Sequence, residues 1–215
     1  MNKPEGTIRI VAGEWRGRRL GVPPGDAVRP TGERQRKALF DILSHGQFAP
    51  GGVSRLVGAR VLDAFAGTGA LGLEALSRGA KYVDFVEFRP SSLHALKANI
   101  AALRVSTKCR VYKKDALPFA DMLTPDRYDI AFVDPPYESR MLDRLIERWQ
   151  RAPWSRVLVA EHLKTHVLPK GARIHVLEDT SISVYRAPII VPEVAPVSDT
   201  VVSPILPPTD SPTEP

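Results

Sequence analysis

Cysteine is nearly absent: Cys109 is the single one in 215 residues, so no intramolecular disulfide can form and a reducing, cytoplasmic setting is expected. No stretch approaches the roughly 20 apolar residues needed to cross a bilayer, which argues against membrane insertion. The first residues also lack the apolar run that follows the basic start of a secretory signal. Acidic residues are scarce where basic ones gather. Within the first forty residues, Glu5, Glu14, Asp26 and Glu33 face nine lysines and arginines, in a chain of net charge +6. A one-sided basic segment suits a polyanionic partner, because neutralising phosphates releases counterions. A solvated basic face is the alternative that charge alone leaves open.

What is present is enough for one globular domain, since 43% hydrophobic content over this length builds a core without metals or disulfides. From Arg60 onward, short β-branched runs alternate with helical patterns, as in βα units stacked into a mostly parallel sheet. Strands are expected at Arg60 to Ala66, Tyr82 to Glu87, Arg110 to Lys114, Asp129 to Asp134, Val157 to Glu161, Ile174 to Leu177 and Ser183 to Arg186. Helices are expected at Leu71 to Arg78, Ser91 to Leu103 and Met141 to Trp149, where apolar positions follow the 3.6 period. The last two strands are separated by Glu178, Asp179 and Thr180, too few residues for a crossover, so they form a hairpin with one antiparallel strand. The expected fold is a Rossmann-like α/β sheet of seven strands, with a small hairpin and helix in front.

That extension spans residues 1–50. In it Ile8 to Val11 and Arg18 to Val22 flank a basic turn, and Thr31 precedes a helix through Ala38, Leu39, Ile42 and Leu43. The main domain covers 51–187. Residues 188–215 are dominated by Pro, Val, Ser and Thr, a composition expected to stay disordered.

Between the first strand and its helix run Asp63, Ala64, Phe65, Ala66, Gly67, Thr68, Gly69, Ala70, Leu71 and Gly72. Glycines spaced G-x-G-x-x-G let the backbone pass beneath a ligand at the carboxyl edge of a sheet, although a tight structural turn uses the same spacing. Glu87 ends the second strand about 20 residues on, where a carboxylate can accept from both ribose hydroxyls. Asp115 and Ala116 follow the third strand, where a carboxylate can accept from an adenine amine. Nicotinamide dinucleotides and S-adenosylmethionine both satisfy this much. Asp63 separates them: a carboxylate there repels a pyrophosphate and favours the cationic sulfonium and ammonium of S-adenosylmethionine.

Asp134, Pro135, Pro136 and Tyr137 follow the fourth strand of the main domain. Two prolines stiffen the loop, so that the Asp134 carboxylate and the Pro135 carbonyl can accept both hydrogens of one amino group while Tyr137 stacks on the base. An amine on an aromatic ring is a poor nucleophile because its lone pair is delocalised. Two acceptors draw it toward tetrahedral geometry, and alignment of nitrogen, methyl and sulfur contributes up to roughly 7–11 kcal/mol. The reacting base must be flipped or unpaired.

Taken together, these residues resemble class I methyltransferases. The runs from Ile8 to Arg18, Arg29 to Phe40 and Asp63 to Ala80 resemble, more narrowly, the bacterial 16S ribosomal RNA guanine-N2 methyltransferases of the RsmD type. The resemblance covers roughly residues 7–187. It implies a guanine in 16S rRNA near the decoding region, a partner in the small ribosomal subunit or an assembly intermediate, and Arg16, Arg18, Arg19, Arg29, Thr31, Arg34 and Arg36 as RNA contacts. A monomer with no metal requirement is expected. Glu33 stands where the family usually has Asp, Lys37 where it often has Glu, and the proline-rich tail is not a family feature.

Rival readings are a nicotinamide-dependent oxidoreductase, for which the Asp-Pro-Pro-Tyr loop has no role, and an RNA-binding module without catalysis. Adenine-N6 or cytosine-N4 methylation uses a similar loop. His162 and His166 are spaced as metal ligands on a helix, but they continue an apolar strand and lack a third ligand. Trp15, in its basic turn, is a candidate stacking platform.

Overall fold

The computed structural model describes residues 7–23, 32–45, 54–135 and 140–188. Two short strands, β1 (Thr7–Arg9) and β2 (Arg19–Gly21), pair antiparallel with Ile8 opposite Leu20. Helix α1 (Glu33–Ser44) follows, burying Arg36, Leu39, Phe40 and Leu43 at three- and four-residue spacing, as expected of one helical face. Then come β3 (Arg60–Asp63), α2 (Ala70–Ser77), β4 (Tyr82–Val86), α3 (Pro90–Leu103), β5 (Cys109–Tyr112), α4 (Ala116–Ala120), β6 (Tyr128–Val133), α5 (Met141–Arg151), β7 (Ser155–Leu163), β8 (Arg173–Val176) and β9 (Thr180–Arg186).

Strands β3 to β9 form one sheet in the order β5-β4-β3-β6-β7-β9-β8. Every neighbouring pair is parallel except those made by β9, which is antiparallel to both β7 and β8. The reversed strand therefore inserts between β7 and β8 instead of closing the edge. This matches the expected seven strands and single reversal. Helix α4 was not anticipated. It has five residues, includes Pro118, and is too short to show a period.

Alternate residues of each strand enter two cores, as the two-residue repeat of a strand requires. Val61, Phe85, Ile130, Phe132, Val157 and Val159 pack with α1, α2 and the hairpin. Leu62, Val86, Ala131, Val133 and Leu158 pack with α4 and α5. The hairpin is part of the first core, with Ile8, Ile10 and Leu20 at 4%, 2% and 1% exposure.

Backbone bonds fasten the hairpin to α2 and α3. Glu74, fully buried, accepts from Val11 N (2.7 Å), Ala12 N (3.0 Å) and Arg78 Nε (2.7 Å). Ser77 Oγ accepts from Trp15 N at 3.0 Å and donates to Ala12 O at 2.6 Å. Among the described residues, no helix is long and apolar enough to cross a membrane. The proline-rich tail beyond Pro188 lies outside the described residues.

Candidate active site

The chain leaves β3 toward β4 and β5 on one side and returns to β6 on the other. The ends of β3 and β6 thus mark the point where the strand order reverses, which is where open α/β sheets bind ligands. Asp63 lies opposite Phe132, and Ala64 N donates to Phe132 O at 3.0 Å. This bond places the glycine loop against Asp134, two residues beyond Phe132.

Asp63 is 2% exposed, and its Oδ2 accepts from Gly72 N at 2.9 Å. Burial pushes its carboxyl up to about 7, the Gly72 amide opposes this, and the charges of Asp134 and Glu87 push the same way as burial. Gly67 and Gly69 have φ of +53° and +85°, values that glycine reaches without strain. A Cβ at Gly72 would lie 2.3 Å from the Phe85 ring, so its requirement is close packing against β4.

Glu87, also buried, ties the loop to the end of β4. Its Oε2 accepts from Gly67 N at 2.8 Å, and its Oε1 accepts from Phe88 N and Arg89 N at 2.9 and 2.8 Å. With two lone pairs per carboxylate oxygen, Oε2 keeps one acceptor position. A cleft opens beside it, lined in part by Ala64, Phe65, Glu87, Phe88, Ala116 and Met141. Asp115 caps α4, with Oδ1 accepting from Leu117 N at 2.9 Å.

Asp134 is half-buried and Pro135 buried at the end of β6. Pro136 and Tyr137 lie outside the described residues, as do Arg29 and Thr31. Three carboxylates, Asp63, Glu87 and Asp134, therefore influence one small region. That donor set fits a cationic ligand and opposes a pyrophosphate.

Of the basic positions, Arg16, Arg18 and Arg19 are exposed, and Arg18 Nη2 donates to Ala102 O at 3.3 Å. Arg34 is exposed and pairs with Glu178 at 2.6 Å. Arg36 corrects the expectation of an RNA contact. It is 1% exposed, and its Nη2 donates to Arg9 O at 2.6 Å. Burial lowers its pKa while Glu74, Glu33 and Glu161 raise it, so this guanidinium holds the hairpin onto α1. Trp15 packs against the first core, with Lys108 Nζ 5.8 Å from its ring centroid. His162 contacts Ser183 Oγ and Leu163 O, and His166 contacts Asp143.

Sequence reasoning missed Phe88, 53% exposed at the lip of the cleft. An aromatic directly after the strand-ending carboxylate was the available signal. It also missed Met141 and Asn99. The Asn99 side chain bonds Gly21 N, Gly21 O and the Thr68 carbonyl, and nothing local in α3 announces those contacts.

The family model described as "Conserved hypothetical protein 95" matches residues 8–180. Ribosomal RNA small subunit methyltransferase D of Escherichia coli K12 is 40% identical over 159 residues, covering 72% of this chain and 74% of its own. The chain belongs to this RsmD-type family of class I methyltransferases. An RsmD-type relative with the same name, from Haemophilus influenzae, is 35% identical over 144 residues, covering 66% of this chain and 70% of its own. The solved structure of yhhF from Escherichia coli superposes with a TM-score of 0.69 at 35% identity, over 85% of this chain and 98% of that one. RsmD-type membership and the fold imply S-adenosylmethionine as methyl donor.

Proposed function

We propose that this enzyme transfers a methyl group from S-adenosylmethionine to the exocyclic N2 amine of a guanine in 16S rRNA, presented by the small ribosomal subunit or an assembly intermediate. The observation that carries the reading is the junction of β3 and β6, where Asp134 meets a glycine loop anchored on Asp63 and Glu87. The names of its relatives from Escherichia coli and Haemophilus influenzae supply the class of RNA.

Asp63, Ala64, Phe65, Gly67, Gly69, Glu87, Asp115 and Ala116 would hold the cofactor. The remaining acceptor position on Glu87 Oε2 suits a ribose hydroxyl, and the exposed Phe88 ring offers a flat apolar face to the adenine. When bound, the cofactor supplies an electrophilic methyl group. Asp134 and the Pro135 carbonyl accept the two amine hydrogens, Tyr137 stacks on the guanine, and Pro136 stiffens the loop between them. As the amine takes the methyl group it gains positive charge, which the nearby Asp134 carboxylate would stabilise most strongly in the transition state; one N2 proton then leaves to Asp134 or water, and neutral S-adenosylhomocysteine is the leaving group.

Arg16, Arg18, Arg19 and Arg34, with Arg29 and Thr31, would contact RNA phosphates. Arg36 leaves that set because it is buried. Action as a monomer in the cytoplasm belongs to the same reading.

The test uses small subunits from cells lacking the enzyme, labelled cofactor and mapping of the methylated base. Asp134→Ala is expected to lower transfer by at least about two orders of magnitude while S-adenosylhomocysteine still binds. Near-normal turnover in that variant removes Asp134 from the mechanism, and label on a base other than guanine overturns the substrate.

A further inference from the structure

The edge of the sheet opposite the cleft carries a second concentration of charge. Arg60 opens β3, Arg156 is the second residue of β7, and Arg186 ends the antiparallel β9 beside it, opposite Val157. Arg55, in the segment before β3, and Arg173, at the start of β8, lie close enough to act on Arg186. After burial, their like charges are what lower its pKa. The carboxylate beside these arginines is Asp129, and it is engaged: Oδ2 accepts from Arg60 N at 2.9 Å and Nε at 3.3 Å, and Arg156 Nη1 lies 3.8 Å from Oδ1, while Arg60 Nη2 donates to the carbonyl of Asp126 at 3.0 Å. Arg55 Nε is buried without a hydrogen-bond partner among the described residues.

Two of these arginines, Arg55 and Arg156, line a recess of about 210 Å³ together with Val57, Gly58, Asp129 and Ile130 among others. It has room for a phosphate group with its waters. None of the residues lining it is aromatic, so it offers no stacking surface for a base. Guanidinium forks match phosphate oxygens in pairs, and clustered guanidiniums that repel one another are relieved by an anion.

We infer that this amino-edge arginine cluster binds the phosphodiester backbone of a second RNA segment, remote from the methylated nucleotide. The inference rests on the reading that the substrate is RNA. Asp134 lies five positions beyond Asp129, past the far end of β6, about 17 Å away at the rise of a strand. A nucleotide at Asp134 and a phosphate at the cluster sit at opposite edges of the sheet and are therefore not neighbours in the RNA. Contact at both edges lets the enzyme respond to the fold of its substrate through a surface that carries no base readout.

The test compares the full-length wild type, Arg55→Gln/Arg156→Gln and Arg55→Lys/Arg156→Lys on two substrates: unmethylated small-subunit particles, and a short RNA hairpin carrying the target base. The glutamine pair is expected to bind particles about tenfold more weakly, with a log affinity versus log salt slope shallower by about one to two. Its kcat/KM on the short hairpin should be unchanged, and the lysine pair should keep most of the particle affinity. Unchanged particle affinity and slope, in an assay where wild type methylates particles, overturns this inference alone. Weaker binding with an unaltered slope also overturns it, because the ligand is then not a polyanion. An equal loss on both substrates shows a general defect and overturns it as well. A wild type that binds S-adenosylhomocysteine yet binds and methylates no RNA overturns the RNA reading and this inference with it.

Discussion

Asn99 Nδ2 donates to the Thr68 carbonyl at 2.9 Å, inside the glycine loop, while the same side chain exchanges two hydrogen bonds with Gly21 of β2. One buried amide on α3 thus joins the basic hairpin to the cofactor loop. A displacement of either is therefore expected to reach the other.

Asn99→Leu keeps the approximate volume and removes all three bonds. Each backbone group left unsatisfied and buried costs about 1–3 kcal/mol. A lower thermal midpoint is expected, together with weaker S-adenosylhomocysteine binding by calorimetry. Unchanged cofactor affinity in a destabilised variant would show that the hairpin and the loop are not coupled through Asn99.

Gly13 has φ of +85°, and a Cβ there would lie 1.8 Å from the Ser77 carbonyl oxygen. Gly13→Ala combines a left-handed backbone, worth about 1–2 kcal/mol, with a backbone clash that forces the hairpin off α2. Hydrogen exchange should show lost protection at Glu14 and Trp15, whose amides bond Ser77. Methylation of particles should fall more than binding of the cofactor.

Glu74→Ala strips the acceptor from Val11 N, Ala12 N and Arg78 Nε at once. Arg78 is nearly buried, its side chain 13% exposed, and breaking a buried pair by removing one partner costs about 3–5 kcal/mol. Chemical denaturation is expected to show a loss of that order. A change below about 1 kcal/mol would falsify the anchoring role.

Asp63 carries a pH dependence. Burial pushes its carboxyl well above the ordinary carboxylate range, up to about 7, so the folded chain holds this proton more tightly than the unfolded chain. Between about pH 4 and 7 the folded state binds the extra proton, and this group's contribution to stability falls as pH rises through that window and levels off above it. A cation beside Asp63 favours the ionised form, so cofactor affinity should increase from pH 5 to pH 8. Asp63→Asn should flatten both profiles in denaturation and calorimetry. A wild-type affinity that does not vary with pH would separate Asp63 from the bound cation.

The order of elements, the glycine loop, the carboxylates that follow it and the Asp134 loop were legible from residue order, because each rests on short-range spacing: two residues for a strand, 3.6 for a helix, a few for a turn. The same local patterns carried the resemblance to the family. What a side chain far along the chain would meet was not legible. Arg36 reads as one more cation in a basic stretch, yet folding buries it against Arg9 O. Nothing local in α2 or α3 names the partners of Glu74, Ser77 and Asn99, yet they grip backbone 62 to 78 residues away. Arg55, Arg60, Arg156, Arg173 and Arg186 are scattered through the sequence and meet only because strands from both halves of the sheet end on one edge. Local periodicity determined the strands and helices. The packing of distant segments, which shields polar groups from water and forces them to find partners, decided which charges gather where a ligand can reach them and which became part of the frame.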